Sequence, residues 1–167
     1  LQYRMDGSVA LSDVLRLRDA TAVGVTEALT REVISRPGKQ RLEILETADG
    51  PRIRALQGHS LDDVDDEETF DREVTAEDLE GPCVHGTYLE RVGDILAQGL
   101  ICGGPLGTRN HIHMTLYEPR DRRIISGMRG DCTAAIYVDI IAAQQAGTKV
   151  YLSRNNVVVT RGLDGVI

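Results

Sequence analysis

The sequence predicts an α+β fold of two lobes, and three observations lead to that prediction. Helical and hairpin patterns fill residues 1–60, and a strongly acidic stretch follows at residues 61–82. Short β-type runs then alternate with helical segments in residues 83–167. The expected organisation is therefore a first lobe at 1–60, an acidic linker at 61–82 and a second lobe at 83–167.

The first lobe has the patterns of helix, helix and hairpin. Residues 9–17 follow an Asp-Gly-Ser turn with apolar residues at helical spacing, and a second helix is predicted at residues 25–35, opened by Thr26. The runs RLEILE and RIRAL alternate with period two around a turn at residues 48–50. This order is that of a winged helix, a module that binds nucleic acid, although the same order also serves protein contacts.

The second lobe is predicted to contain mostly antiparallel strands around two helices. One helix is expected in the segment 89–100, with Gly99 as its end. A shorter helix is expected in the segment 140–147, with Gly147 as its end. The strand candidates are rich in β-branched residues. They are CVHGTY, HIHMTLY, AAIYVDI, KVYLS and NVVVT.

The chain has a net charge of −7, and the excess of acidic residues that causes it lies in the acidic stretch. Residues 61–80 contain eleven Asp and Glu against one Arg, whereas residues 1–60 and 81–167 carry net charges of +1 and +2. A solvated linker is the favoured interpretation, and mimicry of nucleic-acid phosphates is the alternative. Because the rest of the chain is slightly basic, nucleic acid is not excluded as a partner.

The cysteine content and the hydropathy of the sequence indicate the cellular compartment of the protein. The three cysteines form no CxxC pair, which is typical of reduced thiols rather than of a disulfide framework or a zinc site. No apolar run is long enough to span a membrane, and no signal-peptide pattern is present. We expect an intracellular, cytoplasmic monomer without a membrane partner, with the nucleus as an alternative location if the source is eukaryotic. The sequence begins with Leu1, so we expect the natural start to lie upstream.

Basic clusters near the hairpin and in the second lobe are candidates for anion binding. Lys39 and Arg41 open the hairpin, where exposed cations are common on an edge strand. Arg54 and His59 flank a polar turn that follows a strand, and a guanidinium there could hold a phosphate through two parallel hydrogen bonds. The SGMR motif at residues 126–129 combines a hydroxyl, a glycine and a guanidinium, which suit a pyrophosphate.

Histidines mark two further candidate sites. The HGT motif at residues 85–87 ends a strand with a histidine and a hydroxyl beside a glycine that lets a ligand approach the backbone. His111 and His113 alternate with Ile112 and therefore share one strand face. Such a pair suits a hydrogen-bonded ribose or a metal ion, and no nearby carboxylate or cysteine completes a metal site. The sequence also lacks the P-loop, GxGxxG and GxSxG patterns, so a nucleotide must be held differently.

Taken in order, several motifs resemble those of the RNA 2'-phosphotransferase family. They are KQRLEI, IRALQGHS, HGTYLERVGDILAQGL, RNHIHM, IISGMR, IYVDI, VYLSRNNVVVT and the closing residues 162–165, and they span residues 6–167. IRALQGHS, HIH and SGMR are highly specific together, whereas HGT alone is not. The family pairs a winged-helix lobe with a lobe of ADP-ribosyltransferase type, so the resemblance implies that fold here.

The resemblance also implies a reaction in two steps that consumes NAD. An internal 2'-phosphate of RNA attacks the nicotinamide-bearing ribose carbon, expels nicotinamide and leaves RNA joined to ADP-ribose. The neighbouring ribose hydroxyl then attacks phosphorus, which gives RNA with a 2'-hydroxyl and ADP-ribose 1'',2''-cyclic phosphate. The expected partner is 2'-phosphorylated RNA, tRNA above all, and a role in tRNA splicing rests on family analogy.

The roles of individual residues follow from the same resemblance. It assigns catalysis to Arg54 and Arg129, one from each lobe, and we expect both guanidinium groups to act on one anion. A phosphate monoester of charge roughly −1.5 to −2 is already a nucleophile, so it needs cations rather than a strong base. The expected NAD pocket comprises His85, Gly86, Thr87, Ser126, Gly127 and one of His111 and His113; the RNA side comprises Lys39, Arg41 and His59.

One family feature has no counterpart in the sequence given. The family also uses an adjacent Arg-His pair ahead of the Asp-Gly turn, but only five residues precede Asp6, and Arg4 is too close to the turn to replace the pair. Two alternatives stay open, the first because it shares the initial reaction step and the second because the pair is missing. One is a transferase that ADP-ribosylates terminal phosphates of RNA or DNA and stops there. The other is a non-catalytic module that binds phosphorylated RNA or ADP-ribose.

Overall fold

The computed structural model describes residues 1–38, 40–79, 81–103, 107 and 109–167. Contacts divide the chain into two compact units. Unit 1 comprises Leu1–Leu56 and Leu61–Thr69, and unit 2 comprises Gln57–Ser60 and Phe70–Ile167. The named strands pair in an antiparallel manner in both units, which agrees with the predicted α+β class.

Unit 1 begins with a short strand and three helices. The second predicted helix is confirmed, because the helix over Glu27–Ser35 starts where Thr26 Oγ1 accepts a hydrogen bond from the Leu29 N–H at 3.2 Å. The prediction for residues 9–17 is right only in part. Val9 pairs with Ile53 as a strand residue, so tertiary pairing overrides the helical pattern there. The elements are β1 Val9–Ala10, α1 Leu11–Leu15, α2 Arg18–Ala22 and α3 Glu27–Ser35.

The predicted hairpin of unit 1 is confirmed. Strands β2 (Leu42–Thr47) and β3 (Gly50–Ala55) pair from Leu42↔Ala55 to Thr47↔Gly50 around the turn at residues 48 and 49. Strand β1 pairs along the other edge of β3, which gives the order β1-β3-β2. Strand β3 is therefore central, and its side chains Ile53 and Arg54 are both buried.

The acidic stretch differs from the solvated linker that its composition predicts. It contributes helix α4 (Asp66–Thr69) to unit 1 and strand β4 (Arg72–Glu73) to unit 2. Its few apolar side chains are the reason, since burial of apolar surface stabilises ordered chain even where most neighbours are charged. The buried apolar side chains of the stretch are Val64, Phe70 and Val74.

Unit 2 contains every strand and both helices that the sequence predicts for the second lobe. Its sheet has the order β4-β8-β9-β6-β5-β7. Within the described ranges, no helix is long and apolar enough to cross a membrane. The elements after β4 are β5 Cys83–Thr87, α5 Val92–Gln98, β6 Ile112–Thr115, β7 Ala134–Val138, α6 Ile140–Gln145, β8 Val150–Leu152 and β9 Val157–Thr160.

The unit 2 sheet is buried on both faces along β9. Successive side chains of a strand point to opposite faces, so Val158 joins one apolar cluster while Val157 and Val159 join the other. The second cluster also contains Phe70 and Tyr151. Because His113 pairs with Val159, it lies on the face of the second cluster.

Candidate active site

Arg54 is a buried arginine of unit 1 that three chain segments hold in place. Its side chain is 6% exposed, and its Nε donates to Glu43 Oε1 at 2.6 Å across the hairpin. Its Nη1 donates to the Glu68 carbonyl at 2.9 Å and lies 3.7 Å from Asp6 Oδ2. The guanidinium therefore has one defined orientation, set by β2, helix α4 and the Asp-Gly turn.

The Asp6 carboxylate places a negative charge beside the Arg54 guanidinium. Burial acts to raise the Asp6 pKa, but hydrogen bonds from Ser8 and the charges of Arg54 and Arg52 outweigh burial and hold the pKa below its ordinary value. Asp6 is therefore ionised at neutral pH. This ion pair explains how a charged side chain can be buried in so small a unit.

Arg41, another unit 1 candidate, lies at the open end of the hairpin. Arg41 is exposed and directly precedes β2, and its carbonyl accepts from the Leu56 N–H at 3.0 Å. This hydrogen bond extends the hairpin by one position beyond the named strands. Lys39 lies outside the described residues.

His113 on β6 presents a buried ring nitrogen in unit 2. Its Nε2 has no hydrogen-bond partner among the described residues, and a Cβ added to Gly58 would lie 3.9 Å from that nitrogen. Burial, together with the nearby positive charge of Arg109, lowers the His113 pKa to about 4. The ring is therefore neutral at physiological pH, and its Nε2 can form a hydrogen bond with a ligand atom.

His85 on β5 contacts the neighbouring strand β6 through its imidazole ring. In the described residues, β5 and β6 pair at Val84↔Thr115 alone, and His85 Nδ1 lies 2.9 Å from the His113 carbonyl. Burial lowers the pKa of His85, so the ring is neutral. A carbonyl only accepts, so Nδ1 carries the proton and Nε2 is left as an acceptor.

His111 and His59 are buried against one aromatic ring. The His111 ring meets Phe70 edge-on at a centroid distance of 5.1 Å, and the His59 ring does so at 6.2 Å. The His59 carbonyl also accepts from the Asn110 N–H at 3.0 Å. Within the described ranges, no group of three or more His, Cys, Asp or Glu side chains is arranged to hold a metal ion.

A hydrogen bond joins the IRALQGHS and SGMR motifs within unit 2. Gln57 Nε2 donates to Ser126 Oγ at 3.0 Å, and Ser126 is buried. Gly127 follows with φ +86°, and a Cβ there would lie 2.8 Å from the Met114 carbonyl. In the sequence, Gln57 is only part of a polar turn, because no pattern near it indicates a partner 69 residues away.

Arg129 is exposed in unit 2 and contacts the end of β5. Its Nη1 donates to Tyr88 Oη at 3.4 Å, which raises the pKa of Arg129, and Tyr88 Oη donates to Asp131 Oδ2 at 3.0 Å. Neither Tyr88 nor Asp131 was predicted as a site residue. The only sequence signals were the position of Tyr88 directly after the HGT motif and of Asp131 two residues after Arg129.

The space beside Gly86 is filled by protein. A Cβ on Gly86 would clash with Met128 Cγ and would lie 3.1 Å from Cys132 Sγ. The sequence predicts that this glycine admits a ligand, whereas in the structure the Met128 side chain lies in the space beside it. The adjacent Thr87 is buried, and its carbonyl accepts from the Thr133 N–H at 2.9 Å.

Comparison with known proteins gives one consistent family. The chain matches over residues 1–162 the family described as RNA 2'-phosphotransferase, Tpt1 / KptA family. It is 34% identical over 166 residues to tRNA 2'-phosphotransferase 1 of Danio rerio, covering 97% of this chain and 70% of that protein.

Two mammalian proteins of the same name are similarly related. Identity is 35% over 171 residues with the Bos taurus protein and 36% over 159 residues with the Homo sapiens protein. These alignments cover 97% and 94% of this chain, and 62% and 60% of the two relatives. With a family match over almost its whole length and relatives above 30% identity, the chain belongs to the RNA 2'-phosphotransferase family.

Proposed function

We propose that this chain is an NAD-dependent RNA 2'-phosphotransferase. It would transfer an internal 2'-phosphate of RNA to NAD, giving RNA with a 2'-hydroxyl, ADP-ribose 1'',2''-cyclic phosphate and nicotinamide. Family membership supports the phosphotransfer, and the names of the relatives support tRNA as the substrate class. We assign unit 1 as a winged-helix lobe and unit 2 as a lobe of ADP-ribosyltransferase type.

The observation that carries the proposal is the fixed guanidinium of Arg54. Transfer of a phosphate requires cations that are oriented before the reaction, because a pre-oriented donor needs no reorganisation as charge develops on phosphorus. Arg54 meets that requirement through its contacts with Glu43, Glu68 and Asp6. We assign Arg54 and Arg129 to binding of the phosphate and to stabilising its charge during transfer. Lys39, Arg41 and His59 are assigned to the RNA side.

The polar atoms of unit 2 fit NAD as co-substrate. The buried Nε2 of His113, the acceptor nitrogen of His85 and the hydroxyl of Ser126 are groups that hydrogen-bond ribose hydroxyls or a carboxamide. NAD supplies a ribose carbon that accepts phosphate as nicotinamide leaves. We assign His85, Thr87, Ser126 and one of His111 and His113 to holding NAD, with Gly86 and Gly127 setting the backbone around them.

The test is a reaction of the chain with NAD and a short RNA carrying one internal 2'-phosphate. Nicotinamide, the cyclic phosphate and 2'-hydroxyl RNA should form in equal amounts, and RNA without the 2'-phosphate should give none of them. Arg54→Lys and Arg129→Ala should lower the rate by roughly 10²- to 10³-fold, as loss of a transition-state donor does. Arg123→Ala is the matched control, because Arg123 is an exposed arginine of unit 2 paired with Asp121.

Other outcomes would contradict the proposal in different ways. Nicotinamide release from NAD without RNA would indicate a different acceptor. A stable ADP-ribosylated RNA would favour the transferase that stops after the first step. Binding of phosphorylated RNA without turnover would favour the non-catalytic module. Thermal unfolding of Arg54→Lys distinguishes loss of chemistry from loss of fold, because this side chain is buried.

A further inference from the structure

We propose that Tyr88 and Asp131 are positioning residues that hold Arg129 in its reactive orientation. The inference deepens the proposed function and rests on it, since it takes Arg129 as a phosphate-binding cation. Its starting point is a chain of hydrogen bonds from Arg129 Nη1 to Tyr88 Oη at 3.4 Å and from Tyr88 Oη to Asp131 Oδ2 at 3.0 Å.

The direction of these hydrogen bonds explains why a tyrosine and a carboxylate occur together. The Tyr88 hydroxyl accepts from the guanidinium and donates to the carboxylate, so each bond polarises the next. Asp131 therefore fixes the hydroxyl with its lone pairs towards Arg129. Without Asp131, the hydroxyl could rotate and offer the guanidinium no oriented acceptor.

Packing between the end of β5 and the 128–133 loop provides an independent observation. The Met128 side chain occupies the space where Gly86 lacks a Cβ. The Thr133 N–H donates to the Thr87 carbonyl at 2.9 Å, and Thr133 Oγ1 accepts from the Leu89 N–H at 3.0 Å. The loop is thus attached to β5 on both sides of Arg129.

An exposed arginine particularly needs such a support. Its long side chain has many rotamers in solvent, and a cation that must meet a phosphate in one geometry loses rate when it spends time in the others. Burial fixes Arg54, but Arg129 is exposed, so its orientation depends on the contact with Tyr88. The HGTY segment would then serve two purposes: His85 and Thr87 face NAD, and Tyr88 orients the cation.

The experiment compares Tyr88→Phe, Asp131→Ala and Arg129→Ala in single-turnover phosphotransfer. Tyr88→Phe should lower the rate of transfer roughly five- to tenfold, the effect of one hydrogen bond, with KM for NAD nearly unchanged. Asp131→Ala should have a smaller effect in the same direction. In the Arg129→Ala background, Tyr88→Phe should cause no further loss, because there is no guanidinium left to orient.

The matched control is Tyr137→Phe, which removes another tyrosine-to-carboxylate hydrogen bond of unit 2, from Tyr137 Oη to Glu118 at 2.7 Å. It should leave the rate unchanged. Equal losses from Tyr88→Phe in the wild-type and Arg129→Ala backgrounds would overturn the inference, as would full activity of Tyr88→Phe alongside an inactive Arg129→Ala. Full activity of Arg129→Ala would instead reject the proposed role of that arginine, and the inference with it.

Discussion

Glu43 and Arg54 lie directly opposite each other on β2 and β3, and the Arg54 Nε donates to Glu43 Oε1 at 2.6 Å. Their side chains are 13% and 6% exposed. Each charge has therefore lost most of its water and depends on the other for compensation. The pair connects the stability of the hairpin with the orientation of the cation that we assign to the phosphate.

Removing the carboxylate of this pair should destabilise unit 1. Glu43→Ala is expected to lower the free energy of unfolding by about 3 kcal/mol, the low end for a broken buried pair, because the carbonyls of Glu68 and Asp6 still accept from Arg54. Urea unfolding measures the change. Glu46→Ala on the same strand breaks an exposed pair with Arg31 and should cost at most about 1 kcal/mol. Equal effects of the two substitutions would contradict the prediction.

Adding one methyl group at Gly86 should impair the loop that carries Arg129. In Gly86→Ala the new Cβ would overlap the Met128 side chain, and such overpacking costs about 1–3 kcal/mol. The 2'-phosphotransfer rate should fall with it. Met128→Ala in the same chain makes room for the methyl group and should restore both stability and rate in part. A double variant no better than Gly86→Ala would show that the clash is not the cause.

Ser126→Ala tests the assignment of the SGMR hydroxyl to NAD. The substitution removes the acceptor of the Gln57 amide, so the free energy of unfolding should fall by about 1–3 kcal/mol. If the hydroxyl also binds NAD, KM for NAD should rise several-fold while KM for the RNA stays constant. Gln57→Ala is the control, because it removes the same hydrogen bond and keeps the hydroxyl. Identical kinetics in both variants would reject a direct contact with NAD.

The histidines of unit 2 should make stability depend on pH in the mildly acidic range. Burial and the positive charge of Arg109 lower the His113 pKa from 6.5 to about 4, so the unfolded chain binds more protons between these values. Stability should therefore fall as pH drops from 6.5 to 4, by on the order of 3 kcal/mol for His113. His85 is shifted in the same direction. Urea midpoints should fall less steeply with pH in His113→Gln; an unchanged slope would contradict the prediction.

The sequence by itself determined the local elements with short-range causes. The period-two alternation around residues 48–50 identified the hairpin, and Thr26 identified the start of α3. The run NVVVT at residues 156–160 identified β9, which is buried on both faces. The motif order identified the family. Apart from the motif order, which spans residues 6–167, each of these signals lies within a few residues, where backbone geometry alone relates pattern to structure.

Only the tertiary structure decided which side chains meet across long separations. Ser126 accepts from Gln57, Met128 takes the space at Gly86, and Tyr88 contacts Arg129 41 residues later. Val64 and Phe70 are buried in a stretch whose charge predicted a linker. Such contacts depend on how whole strands pack, and the free energy of a buried side chain is set by neighbours that local periodicity does not specify.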